Sequence, residues 1–464
     1  MIRQFAYKMA GIPTETIAAF KAKFDADPKN HLAQNVCSRQ DMLDVVLKRD
    51  VINGPHHVYT HKIKTEGKPV TNQKSSGRCW IFACMNAIRI AFCKEKNIED
   101  FEFSQGHLFF WDKIERSNYI LSALTEILKK GEKVDGRLIS HLLHNPSEDG
   151  GQWDMLVNLV EKYGLMPKKC WPDVYSCEKS MRLGRLINNK IREFCYKLKK
   201  AVDEGSTDDQ LTTLRETMME EMYRIISISV GSPPETIIWE YYDKDKKYQK
   251  VGPITPLAFY QEHIKQNVFN MEDKIVLTND PRPQNPFNKL YTVEYLNNMM
   301  GARPVLYVNQ PVDVLKKCAA ESIKNDEAVW FGTDVGKCFN GKLGFNDTEM
   351  YDYDLVFGTT VLGLNKSDRL IYGESLMTHA MLLTGVSINE DETTSKWRVE
   401  NSWGEDHGEK GYIQMTDKFF SEFVYEVVVD KKYVPDDVQA IMKTTPVVLP
   451  AWDPMGALAH TAKL

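Results

Sequence analysis

No apolar run in this chain approaches the roughly 20 residues that a membrane-spanning helix needs. The N-terminal stretch MIRQFAYKMAGIPTETIAAF lacks the apolar core and cleavage site of a secretory leader. Its first fourteen residues hold no acid, as in a mitochondrial presequence, yet Pro13-Thr14-Glu15-Thr16 reads instead as the start of an ordinary capped helix. Long low-complexity tracts and internal repeats are missing too, which implies a chain folded throughout. Nine cysteines, an odd number at irregular spacing, suit free thiols in a reducing compartment rather than a disulfide framework. Cys170 and Cys177 flank a Trp-Pro turn without a matching second pair, so no zinc site is expected. His56, His57 and His61 have no acid or cysteine beside them to complete a metal shell, and no cofactor is expected. An excess of basic charge is also lacking. The net charge is −5 with both signs mixed, which argues against a generic nucleic-acid binder. The local basic runs at 197–200 and 243–250 read as a solvated helix face and a hairpin tip.

What the chain has is 464 residues, 42% of them hydrophobic, enough for large cores and for two or three domains. Its most informative stretch is Gln73-Lys74-Ser75-Ser76-Gly77-Arg78-Cys79-Trp80. The segment WIFACMNAIRIAF that follows is apolar almost throughout and free of Gly and Pro, which predicts a buried helix. Cys79 then lies at a helix N-terminus, where unpaired N–H groups and the helix dipole favour a thiolate, the nucleophilic form. Gln73, six residues earlier, brings an amide that can help bind an oxyanion. A lone buried cysteine is most often an inert small hydrophobe, so the assignment turns on partners elsewhere in the chain.

A nucleophilic thiol needs an imidazole to take its proton and a third group to hold the ring. His379, in ESLMTHAMLLTGV, stands where a polar turn enters an apolar strand-like run, the placement of a rigidly aimed base. Twenty-two residues on, Asn401 in WRVENSWG can accept from the imidazole N–H and fix its tautomer. Trp403 can cover that hydrogen bond and keep water out.

Together these residues resemble the papain superfamily of cysteine proteases. The family pattern Q-x-x-C-G-x-C-W appears as Gln73 to Trp80, N-S-W-G as Asn401 to Gly404, and G-Y as Gly411-Tyr412. The Gly-Gly that binds substrate backbone as an added strand is matched by Gly150-Gly151, ahead of the helix-like QWDMLVNLVEKYGL. The resemblance implies Cys79 as nucleophile, His379 as general base and acid, Asn401 as orienter and Gln73 as oxyanion donor. Two departures narrow it. Ser76 stands where extracellular members carry a disulfide cysteine. The Cys79–His379 separation of 300 residues is double the family's usual roughly 130–150. Both fit the bleomycin hydrolases, a subgroup of cytosolic papain-like aminopeptidases. The likeness is close at GKPVTNQKSSGRCW, LFFWDKIERSNY, WRVENSWGEDHGEKGY and LPAWDPMGALA.

The resemblance implies an α+β, two-lobe papain-like fold with a large helical insertion and an N-terminal arm. Residues 1–60 read as the arm, with helices near 14–25 and 40–48. Residues 61–180 read as the helical lobe with a helix capped by Ser104. Residues 181–270 read as the insertion, two long charged helices and a hairpin. Residues 271–445 carry strand-like runs, YDLVFGTTVL among them, as the β-rich lobe, and 446–464 form a tail. Pro450 and Pro454 make that tail a poor helix. In the subgroup such a tail lies in the cleft like a bound peptide, and its terminal carboxylate pairs with the substrate's amino group. That arrangement makes an aminopeptidase of an endopeptidase scaffold and implicates Ala459 in substrate binding. This chain continues past Ala459 as His460-Thr461-Ala462-Lys463-Leu464, which suggests self-trimming, while Ala-Lys-Leu also resembles a peroxisomal address. Expected partners are peptides with a free N-terminus, in a cytoplasmic homohexamer. The alternatives are an endopeptidase and a nucleic-acid-binding hexamer with incidental peptidase activity.

Overall fold

Fourteen of the seventeen residues in the helix Cys79–Glu95 are buried, so its apolar sequence packs on all sides rather than along one stripe. In the computed structural model, which describes residues 11–53 and 56–459, this helix lies at the centre of a core shared with Gln105–Lys129 and Trp153–Tyr163. Ser104 caps the second of these through its Oγ, which accepts from the His107 N–H at 3.2 Å. The first ten residues, and the last five with the Ala462-Lys463-Leu464 ending, lie outside the described residues.

The chain divides into two compact units. One comprises residues 1–55 and 348–363, the other residues 56–347 and 364–464. In the first, helices Thr14–Asp25, Pro28–Cys37 and Met42–Val46 follow one another. Pro13 precedes the first without a capping side chain, whereas Asp41 caps the third. The run YDLVFGTTVL belongs to this unit and is not a strand. Asp352 accepts from the Leu355 N–H, Tyr353–Phe357 form a helical turn, and Gly358 ends it in the left-handed region at φ 67°. A cap and a glycine stop outweigh the β-branched content of so short a run.

In the second unit the insertion forms helices Met181–Asp203 and Asp208–Val230 and the hairpin Ile237–Tyr242/Tyr248–Ile254. Leu183, Ile187, Ile191, Phe194 and Leu198 recur at helical spacing and are buried, leaving the opposite face charged. Thr207 and Gln210 form a reciprocal capping box at the start of the second helix.

Apart from that hairpin, the described strands gather into one large sheet, in which His379–Ile388 lies between Val329–Thr333 and Thr394–Glu400, antiparallel to both. Successive residues face different cores. Ala380, Trp330 and Val428 belong to the helical core, while Met381, Phe331 and Val427 belong to a second core with the helices Val312–Lys324 and Asp417–Phe423. A sheet covered on both faces explains why these strands read as near-continuous apolar runs. The Val312–Lys324 helix was not expected, although Leu315, Ala319 and Ile323 carry its period.

Candidate active site

Cys79 is the first residue of its helix, and Arg78 at the cap position makes no capping bond. The Arg78 side chain turns away, forming a bidentate pair with Asp173 at 2.8 and 3.2 Å and donating to Ser76 Oγ. Backbone N–H groups of Ala380, Trp80 and Cys79 itself point at the Cys79 sulfur. Ala380 directly follows His379, so the helix and the strand meet at the sulfur.

The thiol is fully buried, and burial pushes it up to about 12 despite those three N–H groups. The N–H groups at the helix terminus do favour the thiolate, as expected, but in a closed cleft desolvation outweighs them. A charged sulfur here needs a cation formed beside it.

His379 is the first residue of its strand and is completely buried. Its Nε2 lies 3.0 Å from Asn401 Oδ1, which also accepts from the Ser402 N–H at 2.8 Å. An amide oxygen can only accept, so Nε2 carries the hydrogen and Nδ1 keeps the lone pair. The Trp403 ring lies 5.0 Å from the imidazole, tilted 30°, and is itself buried.

The loop before Cys79 is held against the Asn401 segment by backbone hydrogen bonds. Gln73 N–H donates to Ser402 O at 2.8 Å and Gly404 N–H to Thr71 O at 3.0 Å, with Asn72 opposite Trp403. The Gln73 amide is oriented at both ends. Its oxygen accepts from Ser402 Oγ at 2.6 Å, and its nitrogen donates to Ser76 O at 2.6 Å.

Gly150 and Gly151 play different parts. The Gly150 carbonyl accepts from Arg116 at 2.8 Å, and Arg116 is itself paired with Asp112. Gly151 faces the cleft, where its N–H donates to the Ala459 carbonyl at 3.3 Å in an antiparallel bridge. A Cβ at Gly151 would stand 2.6 Å from the Trp80 ring, so only glycine fits. The tail is thus an added strand at this point, and Ala459 is wholly buried.

Further residues hold the tail, and the sequence did not single them out. Gln152 donates to the Ala457 carbonyl at 2.6 Å. Arg282 bridges Asp280 and Asp453, at 2.8 and 2.7 Å, and Asp453 caps the short turn Pro454–Gly456. Val447–Leu449 pairs in parallel with Lys289–Val293. Asp453-Pro454 is a legible turn signal, whereas nothing local marks Arg282. Asp149 is another such residue. It accepts from the Gly77 N–H at 3.3 Å and pairs with Lys113 at 2.8 Å, tying the loop before Cys79 to the Gly-Gly loop.

The profile of the peptidase C1-like family matches residues 11–456. The chain belongs to that family. Rat bleomycin hydrolase is 58% identical over 97% of this chain and 99% of that protein. Aminopeptidase C of Listeria innocua is 40% identical, covering 87% of this chain and 88% of the other. The crystal structure of PepW from Lactobacillus superposes with a TM-score of 0.93 at 40% identity, over 97% of this chain and all of that one. This peptidase C1-like chain has no described helix long and apolar enough to cross a membrane. All nine cysteines are unpaired.

Proposed function

We propose that this chain is a thiol-dependent aminopeptidase of broad side-chain tolerance, with Cys79, His379, Asn401 and Gln73 as its working residues. Its likeness to proteins named bleomycin hydrolase and aminopeptidase C supports the class of reaction. Cys79 Sγ attacks the carbonyl carbon while its proton passes to His379 Nδ1. The oxyanion is held by the Gln73 amide and the Cys79 N–H. His379 then returns the proton to the leaving amine, and water, deprotonated by the same imidazole, releases the acyl group. Asn401 keeps the ring in the tautomer whose Nδ1 carries the lone pair, and Trp403 shields that bond from water.

One observation carries the exopeptidase reading: the pairing of Ala459 with Gly151, which fills the substrate strand position with the enzyme's own tail. Trimming after Ala459 would put a carboxylate opposite the substrate's amino group, a contact whose loss costs about 2–5 kcal/mol when buried. Comparison of peptides with free and N-acetylated termini tests the reading, together with the intact mass of the active protein. Free termini should be cleaved, acetylated ones spared, and the mass should correspond to a chain ending at Ala459. Efficient cleavage of the acetylated peptide would establish an endopeptidase instead. The proposed setting is a cytoplasmic homohexamer, to be checked by light scattering and by imaging a protein whose C-terminus is left free.

A further inference from the structure

Beside the cleft lies a cavity of about 470 Å³ whose walls come from three segments. Ser76 and Gly77 of the loop before Cys79 form one side, and Ser147 to Asp149 of the Gly-Gly loop form another. The third is the start of the insertion helix Met181–Asp203. Gly77 lies two residues before Cys79 and Asp149 two before Gly151, so the cavity adjoins both the loop that carries the thiol and the glycine that pairs with the tail.

The charges lining the cavity are unequally engaged. Asp149 is paired with Lys113, which cancels it locally. Arg192 donates to the Leu143 and His144 carbonyls, at 3.0 and 2.7 Å. Glu148 also lines the cavity and is itself engaged. Arg185 is exposed and makes no ion pair or hydrogen bond among the described residues. Ser147 lines the same space but is almost wholly buried, so it contributes wall rather than an exposed polar group. A cavity whose uncommitted charge among the described residues is a guanidinium is suited to a side chain that brings acceptor oxygens.

We propose that Arg185 sets the charge preference for the substrate's N-terminal side chain, favouring carboxylate and amide side chains over ammonium ones. This rests on the aminopeptidase reading above. It assigns the insertion a task in selecting substrates that the reaction itself does not require.

The test is kcat/KM for Glu, Gln, Ala and Lys 4-methylcoumaryl-7-amides, in the wild type and in Arg185→Ala, Arg185→Glu and Arg185→Lys. The Glu-to-Lys ratio should fall about threefold in Arg185→Ala and about tenfold in Arg185→Glu, mainly through KM, and should stay near wild type in Arg185→Lys. Arg182→Glu, on the same helix but outside the cavity, adds the same charge and should leave the ratio unchanged. A ratio in Arg185→Glu within about twofold of wild type, or an equal shift in Arg182→Glu, overturns the proposal. Should the wild type cleave none of the four amides, the aminopeptidase reading fails, and this inference with it.

Discussion

Burial sets the behaviour of the Cys79 sulfur, the proposed nucleophile. A thiol pushed up to about 12 is protonated throughout pH 7–9 unless a neighbouring imidazole takes its proton. The sign is definite: removing the imidazole leaves the thiol with its high value, so thiolate grows only as pH rises. Iodoacetamide should therefore label Cys79 readily at pH 7 in the wild type. In His379→Ala, labelling should be slower by about 100-fold at pH 7 and climb with pH to at least 10 without a plateau. Peptide mapping of the alkylated protein reads both. Labelling of His379→Ala at the wild-type rate at pH 7 would show that the helix terminus alone ionises the sulfur. At this scale the sequence was highly legible. Cys79, Asn401 and Gly151 each sit in a short string that singled them out, and the structure places them at a helix start, against His379 and against the tail. Arg282 and Lys113 do not, because the partners that give them meaning are about 171 and 36 residues away.

Among the elements, the tail is the one whose form could not be read from its own residues. Pro, Gly and small apolar side chains describe a frayed end as well as a docked strand, and the distinction lies in what receives them. Two substitutions test the docking. Gly151→Ala places a methyl against the Trp80 ring, so turnover of free-amine peptides should fall by about tenfold or more through loss of the strand position. Asp453→Ala removes the carboxylate that Arg282 holds, leaving a buried cation with one partner fewer. The tail should loosen, and cleavage of N-acetylated peptides should rise relative to free ones, as measured by mass spectrometry of the products. An unchanged ratio would mean that Val447–Leu449 and Gln152 hold the tail without it. The insertion helices were legible because their period is regular over many residues. Tyr353–Phe357 was misread because five residues are too few to separate a strand from a helical turn.

Over the whole molecule, the cleft depends on joining the Cys79 helix to the Asn401 strand. Arg89 of the helix pairs with Glu400 at 2.8 Å, and both are about 1% exposed. The guanidinium also donates to the carbonyls of Pro69 and Gly67. Burial holds the Glu400 carboxyl above its usual range even with Arg89 beside it. Arg89→Met strands that carboxylate and should cost about 3–5 kcal/mol in urea unfolding, with activity falling in parallel. The sequence by itself determined the family and the class of enzyme, and singled out the thiol, imidazole and amides proposed to act, because local strings encode turns, caps and helix starts. Only the tertiary structure decided that these groups are buried together, that the tail pairs with Gly151, and that desolvation dominates the sulfur. Those outcomes depend on contacts between segments some 300 residues apart, and no local pattern records what a residue will meet there.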